Sequence, residues 1–255
     1  MTPLADCLAA VYPKVRLTLQ SNMTRALGAG GLPFEVIAGV PAEQYGARVT
    51  FRPVGDPARL ATAFGLERHP WGVPSWVGVR IASTGAGRVK PYHRLTRIDD
   101  RFALPAGLTG DLYPVAASLD GDKTELYLRC RSPMPWQTFV EATLAPLGGG
   151  EYPFAPWPCS RSDSFGFSMC WSGTRLQAVS LYAFSGALPD DFSIERQWAS
   201  GMTEIDRTAY AMAITAVRSL GRLTRGKRHG LLAWTLERGA KWHRAASLRI
   251  VPTSS

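Results

Sequence analysis

The sequence predicts an α+β fold in which five hairpins form a ten-stranded antiparallel β-barrel with helices packed outside. The first observation is that strand-like segments recur in pairs along the chain, with helix candidates between the pairs. The second is that short turns such as Gly85-Ala86-Gly87 and Asp120-Gly121-Asp122 link the members of a pair. Because closure of ten strands removes both sheet edges, we expect a barrel within a single domain spanning 1–255.

The elements follow one another in a regular order. Segments 3–12 and 14–27 are predicted helices, separated by Pro13 and followed by a glycine-rich run at 28–31. The predicted hairpins pair 33–40 with 48–54, 76–82 with 88–95, 113–119 with 123–130, 165–171 with 176–184, and 230–237 with 242–252. The remaining helix candidates are 57–66, 97–106, 135–147 and 194–220.

Composition and charge restrict the class of partner. A chain of 255 residues with 45% hydrophobic and 19% charged residues can form a full core. The net charge of +9 permits nucleic acid, an acidic membrane surface or a phosphorylated small molecule as partner. Apart from a basic run at 222–229, the charge is scattered and no nucleic-acid-binding motif is present. We therefore expect a small-molecule partner, with neither nucleic acid nor membrane, and a monomer or homodimer.

Targeting, cysteine and histidine patterns indicate a cytoplasmic protein without a metal site. The first residues lack a basic segment followed by a continuous apolar one, so no signal peptide is expected. The cysteines show no paired spacing and are expected to be reduced: Cys7, Cys130, Cys159 and Cys170. The histidines likewise lack the spacing of metal ligands: His69, His93, His229 and His243.

The candidate site comes from alternating residues on the strands. In Arg88-x-Lys90-x-Tyr92 two cations and a phenol share one strand face, because side chains two apart point the same way. Comparable triads lie on other predicted strands: Arg48-x-Thr50-x-Arg52, Lys123-x-Glu125-x-Tyr127, Ala178-x-Ser180-x-Tyr182 and Ala245-x-Ser247-x-Arg249. One such triad is typical of a solvated outer face. Their recurrence favours a barrel lumen that binds a polyanion.

Three segments also carry recognisable strand motifs. They are Leu32-Pro33-Phe34-Glu35 with the strand at 47–54, Val89-Lys90-Pro91-Tyr92, and Glu125-Leu126-Tyr127-Leu128-Arg129. These segments resemble hairpins of the indole prenyltransferases related to dimethylallyltryptophan synthase, whose first hairpin reads approximately P-x-E-F-S and then V-R-F-x-F-E-P-I. The fold of that family is the ABBA barrel, in which five ααββ units surround a solvent-filled lumen.

The resemblance implies an enzyme of secondary metabolism that needs no metal cofactor. It transfers an allylic isoprenoid from its diphosphate, dimethylallyl or longer, to an indole-type aromatic acceptor by Friedel–Crafts alkylation. The implied diphosphate-binding residues are Arg48, Lys90 and Lys123, to which strand alternation adds Arg88 and Arg249. The tyrosines implied to shield the carbocation are Tyr92, Tyr127 and Tyr182. Glu35 matches the carboxylate that binds the indole N–H.

Three positions depart from the family pattern and keep other functions open. Glu125 and Ser180 stand where the family prefers lysine, and Arg249 stands where tyrosine is usual. A carboxylate disfavours diphosphate binding unless a cation pairs with it. The alternatives are a non-catalytic β-barrel that binds a hydrophobic or phosphorylated ligand, and an isoprenoid cyclase on the same fold. They differ from the leading hypothesis in whether diphosphate is released and whether an aromatic acceptor is required.

Overall fold

The computed structural model describes most of the chain in eight long stretches and four further positions. The stretches are 15–40, 47–82, 84–98, 100–108, 111–148, 165–184, 231–239 and 242–249, and the further positions are 204, 207, 208 and 211. Two compact units can be distinguished. Unit 1 comprises Met1–His93, Gly201–Gly230 and Ala245–Ser255, and unit 2 comprises Arg94–Ser200 and Leu231–Arg244. The single domain expected for 1–255 stays a prediction.

Ten strands form one antiparallel sheet that closes into a barrel, as the sequence predicts. Their order around the barrel is β1-β10-β9-β8-β7-β6-β5-β4-β3-β2. The strands of the first three hairpins are β1 Gly31–Val40, β2 Ala47–Pro53, β3 Trp76–Ile81, β4 Gly87–Arg94, β5 Leu112–Asp120 and β6 Lys123–Cys130. The strands of the last two are β7 Phe165–Ser172, β8 Arg175–Phe184, β9 Leu231–Glu237 and β10 His243–Arg249.

The described helices are short, apart from the first. The helix α1 spans Val15–Gly28, and α2 spans Pro57–Ala63 with the Asp56 side chain accepting a hydrogen bond from the backbone N–H of Ala58. The helix α3, Trp136–Phe139, continues as a π-helical turn over Val140–Leu144 and a 3-10 turn over Ala145–Leu147. None of the described helices is long and apolar enough to cross a membrane.

One predicted helix is wrong, and others lie outside the described residues. The described part of 97–106 forms bends and turns, with Pro105 unable to donate the backbone hydrogen bond that a helix requires. Phe102 anchors this loop, because its buried ring contacts the Trp171 ring at a centroid distance of 6.2 Å. The predicted helix 3–12, the basic run 222–229 and all but four positions of the predicted helix 194–220 fall outside the described residues.

In unit 1, strand alternation places the apolar side chains on one face of the sheet. Val49 pairs with Val36 and Val79, so their side chains project from the same face. That face packs against α1 in a core that includes Val15, Leu19, Met23, Ala26, Val36, Val49, Phe51, Val77, Val79 and Ile81. The opposite face of these strands is therefore the one that carries the polar triads.

Unit 2 has the same division between an apolar and a polar face. Leu128 pairs with Phe167, which pairs with Leu181, and all three are buried. Phe139 of α3 contacts the rings of Phe165 and Phe167 edge to face at 5.7 and 5.1 Å. These contacts cover the apolar face, while Tyr127 and its cross-strand partner Ser168 lie on the other face.

The buried Cys130 of β6 is a free thiol. Burial raises the pKa of the Cys130 thiol to about 12. Because the thiolate is the reactive form, the Cys130 thiol is inert at neutral pH.

The core of unit 1 gives a stability prediction. Phe51 is fully buried and its ring stacks on Phe64 at a centroid distance of 6.2 Å. We expect Phe51→Ala to lower the free energy of unfolding by about 3–5 kcal/mol, because it leaves a cavity in the core. Urea denaturation followed by tryptophan fluorescence measures this. Leu17→Ala, at a side chain that is 77% exposed on α1, is the control. Equal effects of the two substitutions would contradict the assigned core.

Candidate active site

Three arginines form a row across neighbouring strands on the polar face of unit 1. Arg48 of β2 pairs with Arg80 of β3, which in turn pairs with Arg88 of β4. Directly paired residues have Cβ atoms about 5 Å apart, and like charges at that spacing repel one another. Arg80 and Arg88 are exposed and lie next to the turn that joins their strands, so the row begins at solvent.

The adjacent row on the same face has a cation at one end and a carboxylate at the other. Lys90 pairs with Gly78, Gly78 with Thr50, and Thr50 with Glu35. Lys90 is only 3% exposed and Thr50 only 5% exposed. Three strand spacings place the backbones of Glu35 and Lys90 about 14 Å apart. The two residues between them, Thr50 and Gly78, are small, and the ring of Tyr92 packs over Gly78.

Tyr92 joins the two rows. Its hydroxyl accepts a hydrogen bond of 3.0 Å from Nη1 of Arg48, and the Nζ of Lys90 lies 5.4 Å from the centroid of its ring. The ring face therefore stabilises the buried ammonium through a cation–π contact. Gly78 makes this position of the ring possible, since a Cβ there would lie 2.9 Å from Cε2 of Tyr92. Unit 1 thus combines cations that range from exposed (Arg88) to buried (Lys90) with the fixed aromatic ring of Tyr92.

The polar face of unit 2 has a different character, with hydroxyl groups and a carboxylate beside two tyrosines. The rings of Tyr127 and Tyr182 stack with centroids 6.2 Å apart. Ser168, which pairs with Tyr127 in the sheet, donates a hydrogen bond of 2.7 Å to Oε1 of Glu125. The same hydroxyl lies 2.8 Å from the hydroxyl of Tyr182. Arg129 shares this face with Tyr127, two residues along β6.

The structure places the sequence-predicted residues unequally. Arg48, Lys90, Arg88, Tyr92 and Glu35 share the polar face of unit 1, while Tyr127 and Tyr182 come together in unit 2. Two predicted cations are not brought into these groups by the described contacts.

These two cations stand at strand ends. Lys123 is the exposed first residue of β6, paired with Asp120 at the turn and with Ser172. Arg249 is the last residue of β10, and its side chain lies outside the described part of the structure. The diphosphate role assigned to both residues stays a prediction.

Three residues of these faces were not selected from the sequence. Arg80 is detectable only from the hairpin register, which pairs it with Arg88 across the turn. Gly78 is selected by its contact with Tyr92, which no local pattern encodes. Ser168 lies next to no sequence motif, and its partner Glu125 is 43 residues away along the chain.

No metal site is present among the residues that the structure describes. In that part of the chain no group of three or more His, Cys, Asp or Glu side chains is placed to hold a metal ion. His69 and His93 form a stacked pair with ring centroids 4.5 Å apart. A second ring contact holds this pair, because Trp71 packs edge-on against His93 at 5.7 Å.

Comparison with known proteins gives no match in sequence and a clear match in structure. No protein-family model and no curated protein matches the chain. A 5-dimethylallyl tryptophan synthase from Streptomyces coelicolor, in complex with DMASPP and Trp, superposes with a TM-score of 0.64 and 13% identity, covering 96% of this chain and 92% of that one. The prenyltransferase PriB in its apo form superposes with a TM-score of 0.66 and 14% identity, covering 97% of this chain and 94% of that one.

A third solved structure extends the comparison. NotF in complex with brevianamide F and DMSPP has a TM-score of 0.60 and 12% identity, covering 98% of this chain and 93% of that one. The chain therefore has the fold of the aromatic prenyltransferases, the ABBA barrel that the strand motifs of the sequence resemble. At such low identity the similarity establishes the fold, and the chemistry has to be argued from the side chains.

The contact between Gly78 and Tyr92 predicts the effect of one added methyl group. We expect Gly78→Ala to displace the Tyr92 ring, break its hydrogen bond with Arg48, and weaken binding of inorganic diphosphate by about tenfold, the loss of one hydrogen bond to a charged group. Isothermal titration calorimetry measures the affinity.

A double-mutant cycle is the control for this prediction. If the added methyl group acts through the ring, Gly78→Ala should change diphosphate affinity little in a Tyr92→Ala background. An equal loss in both backgrounds would show that the methyl group acts by another route.

Proposed function

We propose that the chain is a metal-independent aromatic prenyltransferase, which transfers an allylic isoprenoid from its diphosphate to an indole-type acceptor by Friedel–Crafts alkylation. The observation that carries this proposal is the row from Glu35 to Lys90 on one face of unit 1. It provides a cation for the leaving group and a carboxylate for the acceptor, in a chain with the fold of such enzymes.

The first requirement of the reaction is to stabilise the departing diphosphate. When the C–O bond breaks, negative charge accumulates on the diphosphate oxygens. Fixed cations in a site of low dielectric stabilise that charge without having to reorganise. Lys90 and Arg48 occupy the deeper part of the face, with Arg80 and Arg88 nearer to solvent. We assign these four residues to the diphosphate, with Lys123 and Arg249 as further members suggested by the resemblance.

The second requirement is to protect the allylic cation until the acceptor captures it. Tyrosine rings offer electron-rich faces to a carbocation and exclude water from it. Tyr92 is only 8% exposed and is fixed by Arg48, so its ring is preorganised for this role. We assign the same role to Tyr127 and Tyr182, whose rings stack on each other.

The third requirement is to orient the aromatic acceptor. A carboxylate that accepts a hydrogen bond from an indole N–H increases the electron density of the ring and fixes its position. Glu35 is half-buried and lies in the same row as Lys90, three strands away. We place the acceptor at the Glu35 end of this row and the diphosphate at the Lys90 end.

Release of diphosphate from a panel of substrates tests the proposal. Dimethylallyl, geranyl and farnesyl diphosphate are each incubated with EDTA, with and without tryptophan and a set of indoles and phenols, and products are identified by mass spectrometry. The proposal requires release that depends on the acceptor, with a prenylated product. Release without any acceptor would instead indicate cyclisation or hydrolysis. If folded protein releases no diphosphate, the result would indicate a non-catalytic binding barrel. The carboxylate of Glu125, which disfavours diphosphate binding, would agree with that alternative.

Lys90 gives the sharpest mutational prediction. We expect Lys90→Met, which keeps the length of the buried side chain and removes its charge, to lower kcat about a hundredfold or more, as loss of one preorganised charge-stabilising group does. Arg59→Met removes an exposed cation from α2 and is the matched control. Diphosphate release in a stopped assay gives both rates. A Lys90→Met enzyme with full activity would exclude Lys90 from the site.

Glu35 tests the acceptor half of the site separately. We expect Glu35→Gln to retain binding of inorganic diphosphate and to reduce prenyl transfer at least tenfold, because the neutral amide polarises an N–H less strongly. Calorimetry measures the first quantity and product formation the second. Unchanged transfer would remove the proposed role of this carboxylate, and lost diphosphate binding would place Glu35 in the other half of the site.

A further inference from the structure

We propose that Tyr182, Ser168 and Glu125 form a relay that accepts the proton released from the acceptor ring. This inference rests on the proposed function and adds the step that follows C–C bond formation. It also gives a role to Glu125, a carboxylate at a position where the indole prenyltransferases that the sequence resembles prefer lysine. The relay lies entirely within the polar face of unit 2.

The hydrogen bonds of Ser168 fix the direction of the relay. A serine hydroxyl has one proton, and that proton is donated to Oε1 of Glu125 over 2.7 Å. The Ser168 oxygen must then accept in its second contact, so the Tyr182 hydroxyl donates to it over 2.8 Å. The protons therefore point from the tyrosine through the serine to the carboxylate, which is the direction a proton acceptor requires.

The central hydroxyl of the relay is shielded from solvent, which suits proton transfer between its two neighbours. Ser168 is 1% exposed, so it links two half-buried side chains, Tyr182 and Glu125, through the protein and not through bulk water. Stacking on Tyr127 holds the Tyr182 ring in place. Charge-assisted hydrogen bonds to a partly desolvated carboxylate are stronger than neutral ones, which keeps the relay aligned.

The neighbouring hydroxyl groups do not form a comparable relay. Ser180 pairs with Ser168 in the sheet, and its hydroxyl lies 2.7 Å from that of Thr235. This hydrogen bond joins two neutral hydroxyl groups without a carboxylate between them. Ser172 gives a matched control, because its hydroxyl at the end of β7 donates to the Asp122 carboxylate outside the relay.

The chemical balance of the step is complete without a cofactor. The allylic C–O bond breaks with its electron pair going to the diphosphate, and a π pair of the acceptor forms the new C–C bond. The arenium ion then loses a ring proton, and the C–H electron pair restores aromaticity. Tyr182 takes up that proton as it passes its own to Ser168, which passes its own to Glu125. The neutral Glu125 carboxyl group finally releases the proton to solvent.

An isotope effect on the acceptor distinguishes this relay from a structural role. The variants are Glu125→Gln, which retains shape and an acceptor oxygen, and Ser168→Ala. The substrates are the best prenyl donor and an acceptor with or without deuterium at the alkylated carbon. We expect each variant to be on the order of a hundredfold slower, as loss of acid–base assistance is. We also expect a primary isotope effect that the wild type lacks, because loss of the ring proton becomes rate-limiting.

A control variant and two contrary outcomes distinguish a failure of the relay from a failure of the proposed function. Ser172→Ala should show wild-type turnover and no isotope effect. Slow Glu125→Gln and Ser168→Ala enzymes without an isotope effect would overturn the relay and assign these residues a structural or electrostatic role. Transfer at the wild-type rate in both variants would also overturn it. Absence of transfer by the wild-type protein would overturn the proposed function, and the relay with it.

Discussion

The burial of the Lys90 ammonium group on a sheet face is the constraint on which the proposed site depends. An ammonium with 3% exposure is costly to remove from water unless neighbouring groups compensate. The ring of Tyr92 compensates part of that cost, and Arg48 in turn holds the tyrosine in position. Gly78 leaves the space that the Tyr92 ring occupies, and the contacts of the ring with Lys90 and Arg48 depend on that space.

The pleat of the strands separates this polar chemistry from the stability of the fold. Val49 and Arg48 are adjacent in sequence and project from opposite faces, the first against α1 and the second beside Tyr92. The core can therefore be packed tightly while the other face is arranged for binding. Unit 2 uses the same division but places hydroxyl groups and a carboxylate where unit 1 places cations.

Much of the fold could be predicted from the sequence, because each of its signals is local. Strand alternation and glycine turns located all ten strands and placed Lys90 and Tyr92 on one face. Features that depend on cross-strand partners could not be predicted in this way. Arg80 and Gly78 require the hairpin register, and Ser168 requires the pairing of β6 with β7, distant along the chain. The helix predicted at 97–106 is wrong because the prediction rests on a local pattern alone. Pro105 and the contact of Phe102 with Trp171 hold this segment as a loop.

A crystal structure of the protein with dimethylallyl thiolodiphosphate and an indole acceptor tests the central claim most directly. The account predicts diphosphate oxygens within hydrogen-bond distance of Lys90 and Arg48, with the allylic chain directed along the face towards an acceptor at Glu35. Diphosphate bound away from both cations, with Tyr92 in contact with neither ligand, would contradict the account even if the fold were confirmed.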